Sequence, residues 1–268
     1  MEVKKSHKLV LIFILSCLNV YFTQLLFAQN RPYVLFANVG EGDAELVRTK
    51  YNQVVLIDGG PNAKILEVLG RRLPYWQRTI DLLILTHPHS DHISGQIEVL
   101  KRYDVDLVLW NGIGSDSAEF HEWESLIKQK GIKRLVIKRG SRIVLNEANK
   151  MLVLWPDGRD FSQKEINDSS LIIKLDTSAD DFLFTGDVSA SVLEKLGGDI
   201  RAEVLKVPHH GSKSGLNVEV IDKIKPQKAV IEVGKNSYGH PSKEIIGLLR
   251  SFGATVILTQ EGWVELPL

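Results

Sequence analysis

Apolar residues fall in short runs, and their spacing switches repeatedly between the period of a strand and that of a helix. Tyr33-Val39, Glu45-Arg48 and Val54-Asp58 are strand-length and punctuated by turn residues, the pattern of an antiparallel meander. Gly59-Gly60-Pro61-Asn62 is a turn, and Asn62 is the predicted cap of a helix reaching Arg71. Asp81-Leu82-Leu83-Ile84-Leu85 predicts a buried strand, Ile93 to Arg102 a helix and Val105-Trp110 another strand. Ser117 to Lys130 has the spacing of an amphipathic helix, followed by strands at Ile132-Ile137, Arg142-Leu145 and Met151-Trp155. The second half uses the same grammar. Strands are predicted at Ser170-Leu175, Phe182-Phe184 and Val204-Val207, with a helix at Ser189-Leu196. Val218-Ile224, Ala229-Val233, Ser242-Arg250, Thr255-Leu258 and Val264-Leu266 complete the chain. Meanders combined with crossover helices in two halves predict two sheets face to face with helices outside. Periodicity by itself stops at α/β or α+β.

The 268 residues suit one domain with a full core. The N-terminus stands apart: Lys4, Lys5 and Lys8 precede Leu9-Val10-Leu11-Ile12-Phe13-Ile14-Leu15, and the apolar character runs loosely to Phe27-Ala28. This reads as a signal peptide over residues 1–28, with a single domain over 29–268, and predicts a secreted or periplasmic protein. A retained membrane anchor is the alternative, although Asn19, Thr23 and Gln24 interrupt the run. A lipoprotein reading through Cys17 is disfavoured by Leu15, where a small residue is usual. Cleavage after Ala28 removes Glu2, three lysines and the only cysteine, leaving 30 basic and 32 acidic residues. Such a protein has no disulfide and no thiolate ligand. Its balanced charge offers no broad footprint for duplex nucleic acid, so a nucleic-acid substrate would be short, single-stranded or held by a local patch. No stable protein partner is predicted, and membrane contact is expected only through an uncleaved N-terminal segment.

The candidate chemistry is concentrated in Thr86-His87-Pro88-His89-Ser90-Asp91-His92, at the exit of the predicted buried strand. His87 and His89, two apart on extended chain, project to the same side. Asp91 and His92 serve a second point nearby. Imidazole with carboxylate suits zinc, manganese or iron. Asp187 ends Phe182-Leu183-Phe184 beside Gly186, where a carboxylate leaves the core for a cleft or caps the following helix. His209 and His210 again follow a buried strand, and His240 precedes a helix.

His87-Pro88-His89-Ser90-Asp91-His92 resembles the signature of the metallo-β-lactamase-fold hydrolases. Asn38-Val39-Gly40-Glu41-Gly42-Asp43-Ala44, Asn167-Asp168-Ser169-Ser170-Leu171, Phe184-Thr185-Gly186-Asp187, Leu205-Lys206-Val207-Pro208-His209-His210-Gly211-Ser212 and Gly239-His240-Pro241-Ser242 resemble, in order, the motifs of the branch found at the C-terminal end of ComEC-type DNA-uptake proteins. The resemblance implies a four-layer αββα sandwich with its site at one edge. It also implies two divalent metal ions, zinc or manganese, held by His87, His89, Asp91, His92, Asp187 as the bridging ligand, and His209. The other histidine of the pair, His210, is expected to contact substrate or relay protons. His240 is either a ligand or the proton donor to the leaving group, and Asp91 doubles as acceptor of the water's proton. Asp58, and similarly Asp43, would orient a ligand histidine. Lys206, Ser212 and Lys213 are expected to contact a phosphate. Many relatives carry a further ligand histidine between His92 and Asp187; here the only histidine is His121, on a solvated helix face, and the equivalent position falls near Asn167-Asp168. An oxygen ligand there favours manganese or a loosely held second metal. The implied function is metal-dependent hydrolysis, with a phosphodiesterase or nuclease first. A hydrolase of a β-lactam or lactone and a non-catalytic binding domain are the alternatives, with a phosphocholine-type esterase between the two hydrolases.

Overall fold

The computed structural model describes residues 7, 12–20, 31–159, 161–162 and 165–268. Of the leader expected over residues 1–28, residues 12–20 are helical and exposed; most of the remainder lies outside the described residues. No helix among the described residues is long and apolar enough to cross a membrane.

The first half builds β1 (Tyr33–Phe36), β2 (Ala44–Arg48), β3 (Val54–Asp58), α1 (Lys64–Arg72), β4 (Thr79–Leu85), α2 (Ser90–Arg102), β5 (Asp104–Trp110), α3 (Ala118–Gln129) and β6 (Lys133–Val136). The second supplies β7 (Arg142–Val144), β8 (Lys150–Trp155), β9 (Ile172–Asp176), β10 (Phe182–Phe184), α4 (Ala190–Lys195), β11 (Val204–Lys206), α5 (Val218–Ile224), β12 (Lys228–Ile231), α6 (Lys243–Ser251), β13 (Thr255–Leu258) and β14 (Val264–Pro267). They form two mixed seven-stranded sheets, ordered β14-β1-β2-β3-β4-β5-β6 and β13-β12-β11-β10-β9-β8-β7. The last strand therefore closes the edge of the first sheet, pairing antiparallel with β1. As predicted, β1 to β3 form an antiparallel meander, while β3 to β6 run parallel through crossover helices.

Three apolar layers hold this together. Phe36, Ile57 and Ile84 meet Ile173, Phe184 and Val230 between the sheets. Leu69, Ile97 and Trp123 seal α1 to α3 onto the first sheet. Leu193, Ile221 and Leu249 seal α4 to α6 onto the second. Each fully buried side chain of this size contributes about 1.5–3 kcal/mol. The result is the αββα sandwich.

Of the boundaries that differ from the sequence reading, two helix starts have a local cause. Asn62 does not cap α1; its Oδ1 accepts from Lys64 N at 3.0 Å, a local turn, and Ala63 takes the cap position. Helix α2 starts at Ser90 rather than Ile93, because the extended His89 is its cap and its carbonyl accepts from both His92 and Ile93. Asp91 and His92 are therefore in the first helical turn, with a fixed angle between their side chains.

Candidate metal centre

Every metal-capable motif leaves the sandwich at the same rim, where β3, β4, β10, β11 and β12 end. Asp58 closes β3 with φ 52°, a left-handed conformation that turns its buried carboxylate across to the next strand exit. There Oδ1 accepts from Thr86 N at 2.8 Å, and Oδ2 accepts from Thr86 Oγ1 at 2.6 Å. His92 Nδ1 donates to the same Oδ2 at 2.7 Å. Asp58 thus holds His92 with Nε2 facing the cleft, the orienting part expected of it.

Proton accounting fixes His87 in the same tautomer. Its Nδ1 lies 3.1 Å from Thr86 Oγ1 and 3.2 Å from Ser170 Oγ. Both hydroxyl protons are already committed, Thr86 to Asp58 and Ser170 to the Asn167 carbonyl at 2.6 Å. Nδ1 must therefore donate, which leaves the Nε2 lone pair free. His210 Nδ1 lies 2.9 Å from the Glu232 carbonyl, which only accepts, so in the neutral ring it is Nε2 that carries the lone pair into the site.

The donor atoms of Asp91, His92, Asp187 and His210 lie within 4.8 Å of one another. Asp187 Oδ2 is 3.4 Å from His92 Nε2 and 3.7 Å from His210 Nε2, and Asp91 Oδ2 is 3.3 Å from His210 Nε2. His87 packs beside His92, ring centroids 4.2 Å apart, and His89 beside His87 at 4.8 Å. A cleft of about 330 Å³ opens over them, lined also by Glu41, Asn167, His209, Tyr238 and His240.

His87 Nε2, His92 Nε2 and Asp187 Oδ1 are buried without a hydrogen-bond partner among the described residues. Buried polar atoms are almost always paired, so the two imidazole nitrogens are placed to take a bound cation, while Asp187 Oδ1 faces the Lys206 ammonium at 3.7 Å. The donor set fits a divalent metal of the zinc or manganese kind. Electrostatics agree. Burial opposes a charge on His92 and on His210, yet Asp187 with the neighbouring carboxylates outweighs it, and both pKa values lie well above the ordinary histidine value. Burial would raise Asp187, but His92 and His210 hold it well below the usual carboxylate range. Protons on the two imidazoles stand in for metal charge. Burial, and then the neighbouring His92, push the His87 pKa well down, and its ring is neutral.

Metal binding should therefore expel protons and tighten as pH rises. Titration calorimetry of zinc or manganese in buffers of different ionisation enthalpy checks this, with proton release expected near neutral pH. The sign for the metal-free fold is opposite. The raised values of His92 and His210 contribute stability that is full below about 6.5 and is lost as pH climbs through their folded-state values.

The histidine pair departs from expectation. His209, expected as the ligand, keeps its ring partly exposed with Nε2 3.9 Å from Asp187 Oδ2, while His210, expected to act on substrate, joins the donor cluster. Both residues are left-handed, φ 50° and 52°, and this double reversal turns His210 inward. Lys206 is also corrected: it is fully buried, ion-paired with Asp43, and donates to the Gly186 carbonyl at 2.9 Å, out of reach of a substrate. Lys213 points away to Glu244 at 2.9 Å, and Ser212 Oγ faces Ser214 Oγ at 3.1 Å. The helix cap after Asp187 is Ser189, so the aspartate is free for the cleft. His121 is exposed on α3, away from the rim. His240 faces the cleft, its ring 5.5 Å from that of His209. Its Nδ1 lies 3.2 Å from Glu41 Oε1, and Glu41 is fixed by Gly234 N and Asn236 Nδ2. Sequence reasoning gave Glu41 no role. Its only signal was a carboxylate between two glycines, Gly40 and Gly42, in the opening loop.

Comparison with known proteins agrees with this geometry. Residues 37–234 match the family described as the metallo-beta-lactamase superfamily. The chain is 31% identical over 194 residues to ComE operon protein 3 of Bacillus subtilis, covering 70% of this chain and 24% of that one. It is 25% identical over 244 residues to competence protein ComA of Neisseria gonorrhoeae, covering 86% and 31%. It thus spans a quarter to a third of the length of these relatives. Igni18, a metallo hydrolase from Ignicoccus hospitalis, shares the fold with a TM-score of 0.58 at 17% identity, over 88% of this chain and 99% of that one. The chain belongs to the metallo-beta-lactamase superfamily.

Proposed function

We propose that this protein is a metal-dependent phosphodiesterase or nuclease working outside the cytoplasm. The observation that carries the reading is the convergence of Asp91, His92, Asp187 and His210, with the buried Nε2 atoms of His87 and His92 lacking a hydrogen-bond partner among the described residues at the same rim. These four residues would hold one divalent cation, and His87 and His89, with Asp187 and the side chain of Asn167, would hold a second. The likeness to competence proteins and the oxygen-rich second site favour a phosphodiester over a β-lactam or lactone. The basic, then apolar N-terminus supports the location.

When bound, the cations lower the pKa of water towards about 7 and offset charge on non-bridging oxygens. The protein supplies the rest. Asp91, kept ionised by His92 despite its burial, is placed to take a proton at the open side of the cluster. Asp58, Thr86 and Ser170 hold the imidazoles in one tautomer, so no reorganisation is needed. With Nδ1–H donated to the Glu41 carboxylate, the doubly protonated ring of His240 would give its Nε2 proton to the leaving oxygen and become neutral.

The test is metal-loaded protein with bis-p-nitrophenyl phosphate, single-stranded DNA and nitrocefin. Turnover of the phosphodiesters is expected, and hydrolysis of nitrocefin alone overturns the reading. The His240 assignment makes a separate prediction. His240→Gln should slow DNA cleavage about 10²-fold, because an alkoxide needs its proton. It should leave bis-p-nitrophenyl phosphate nearly unaffected, because p-nitrophenolate leaves without one. Glu41→Gln should reproduce part of the effect on DNA, and equal slowing of both substrates by His240→Gln removes the acid role.

A further inference from the structure

The pole of the first sheet opposite the metal rim carries features the chemistry does not use. Strands β1, β3, β4 and β5 all start there, since the register joins Tyr33 to Arg48, Arg48 to Val54, and Thr79 to Asp104. Strand β4 then covers about 23 Å to the metal loop. Three aromatic side chains stand out from this pole: Tyr51 in the β2–β3 turn, 63% exposed, and Tyr75 and Trp76 before β4, 83% and 58% exposed. Tyr75 and Trp76 brace each other edge to face at 4.9 Å. Exposing rings of this size to water is costly, and nothing among the described residues covers them.

The same pole is basic. Lys50 Nζ lies 5.1 Å from the Tyr51 ring, and Arg78 follows Trp76. The last turns of α1, α2 and α3 bring Arg71, Arg72, Lys101, Arg102 and Lys128. Helix dipoles alone account for cations at those ends. Glu67, Glu98, Glu122 and Glu265 pair with Arg71, Arg72, Lys101 and Arg102 and offset much of that charge. Neither point accounts for the exposed rings. Strand β1 starts at this pole, so where the N-terminal segment is retained, its apolar run Leu9-Leu15 joins the domain here.

We propose that this pole docks on an anionic lipid surface. Tyr51, Tyr75 and Trp76 sit at headgroup depth, where amphipathic rings are favoured, and the lysines and arginines meet lipid phosphates. The metal rim then faces away from the bilayer, open to substrate. Single-stranded nucleic acid also suits aromatic and basic groups, but a ligand here is a full strand length from the metal site, whereas the N-terminal apolar run, where retained, joins the domain at this pole.

The test uses the full chain in a Cys17→Ser background, with an environment-sensitive fluorophore on Trp76→Cys or, at the catalytic rim, on Lys213→Cys. Vesicles of phosphatidylcholine and phosphatidylglycerol should blue-shift and brighten the label at position 76 and leave that at 213 unchanged. Lys50→Gln and Arg78→Gln should each lower partition onto these vesicles about fivefold. Equal responses at both positions, or none at 76, overturn the proposal. So does a response at 76 to a single-stranded oligonucleotide without one to vesicles.

Discussion

Replacing Asp187 with asparagine is expected to abolish measurable hydrolysis, a loss of at least about 10³-fold, beyond the 10–100-fold that follows from losing an outer partner of a metal site. Asp187 Oδ2 faces His92 and His210, and its buried Oδ1 faces the Lys206 ammonium at 3.7 Å. Asparagine keeps the size but removes the charge, so bound metal in the purified protein should fall with activity. The metal-free fold responds too, because the protons on His92 and His210 lose their largest counter-charge. Its acid-side stabilisation should shrink, seen as a smaller difference in Tm between mildly acidic and neutral pH. Wild-type turnover with full metal content in Asp187→Asn would remove the bridging assignment.

Much of this centre was legible because its donors sit at the exits of apolar runs, and a buried parallel strand can release a side chain only at its end. That rule marks the His87–His92 loop and Asp187 as candidates, and the resemblance supplied their roles as ligands. The rule is silent on His209 against His210, since the choice turns on two successive left-handed residues that no local pattern encodes. Lys206 was misread for a different reason. A lysine flanked by Leu205 and Val207 looks like the solvent position of an alternating strand. Strand β11, however, lies inside a sheet covered on both faces, where every residue is interior. The same holds for Glu45 on β2 and for Glu232 just past β12, both buried. A charged residue in a run that must be central implies a buried partner, and for Lys206 that partner was already present as Asp43 in the opening loop.

That burial makes Lys206→Met the substitution with the largest expected cost in stability. Burial disfavours the ammonium, but Asp43 first, then Asp187, Glu45 and Glu232, raise its pKa far above the ordinary lysine value. Burial likewise raises the two glutamates, with Glu232 pushed up to about 8 and Glu45 well above the usual range, so at neutral pH these acids hold protons. Lys206 and Asp43 are then the charged pair at the floor of the metal site. Removing one partner of a buried pair strands the other charge and costs about 3–5 kcal/mol, whereas exchanging both for neutral groups is close to neutral. Lys206→Met should therefore lower Tm steeply. Adding Asp43→Asn should recover most of the loss, although Asp43 also lies 3.3 Å from His210 Nδ1. A denaturant double-mutant cycle measures the coupling. Additive losses in the double variant would mean that Asp43 is balanced by the histidines instead, and the lysine would then contribute packing alone.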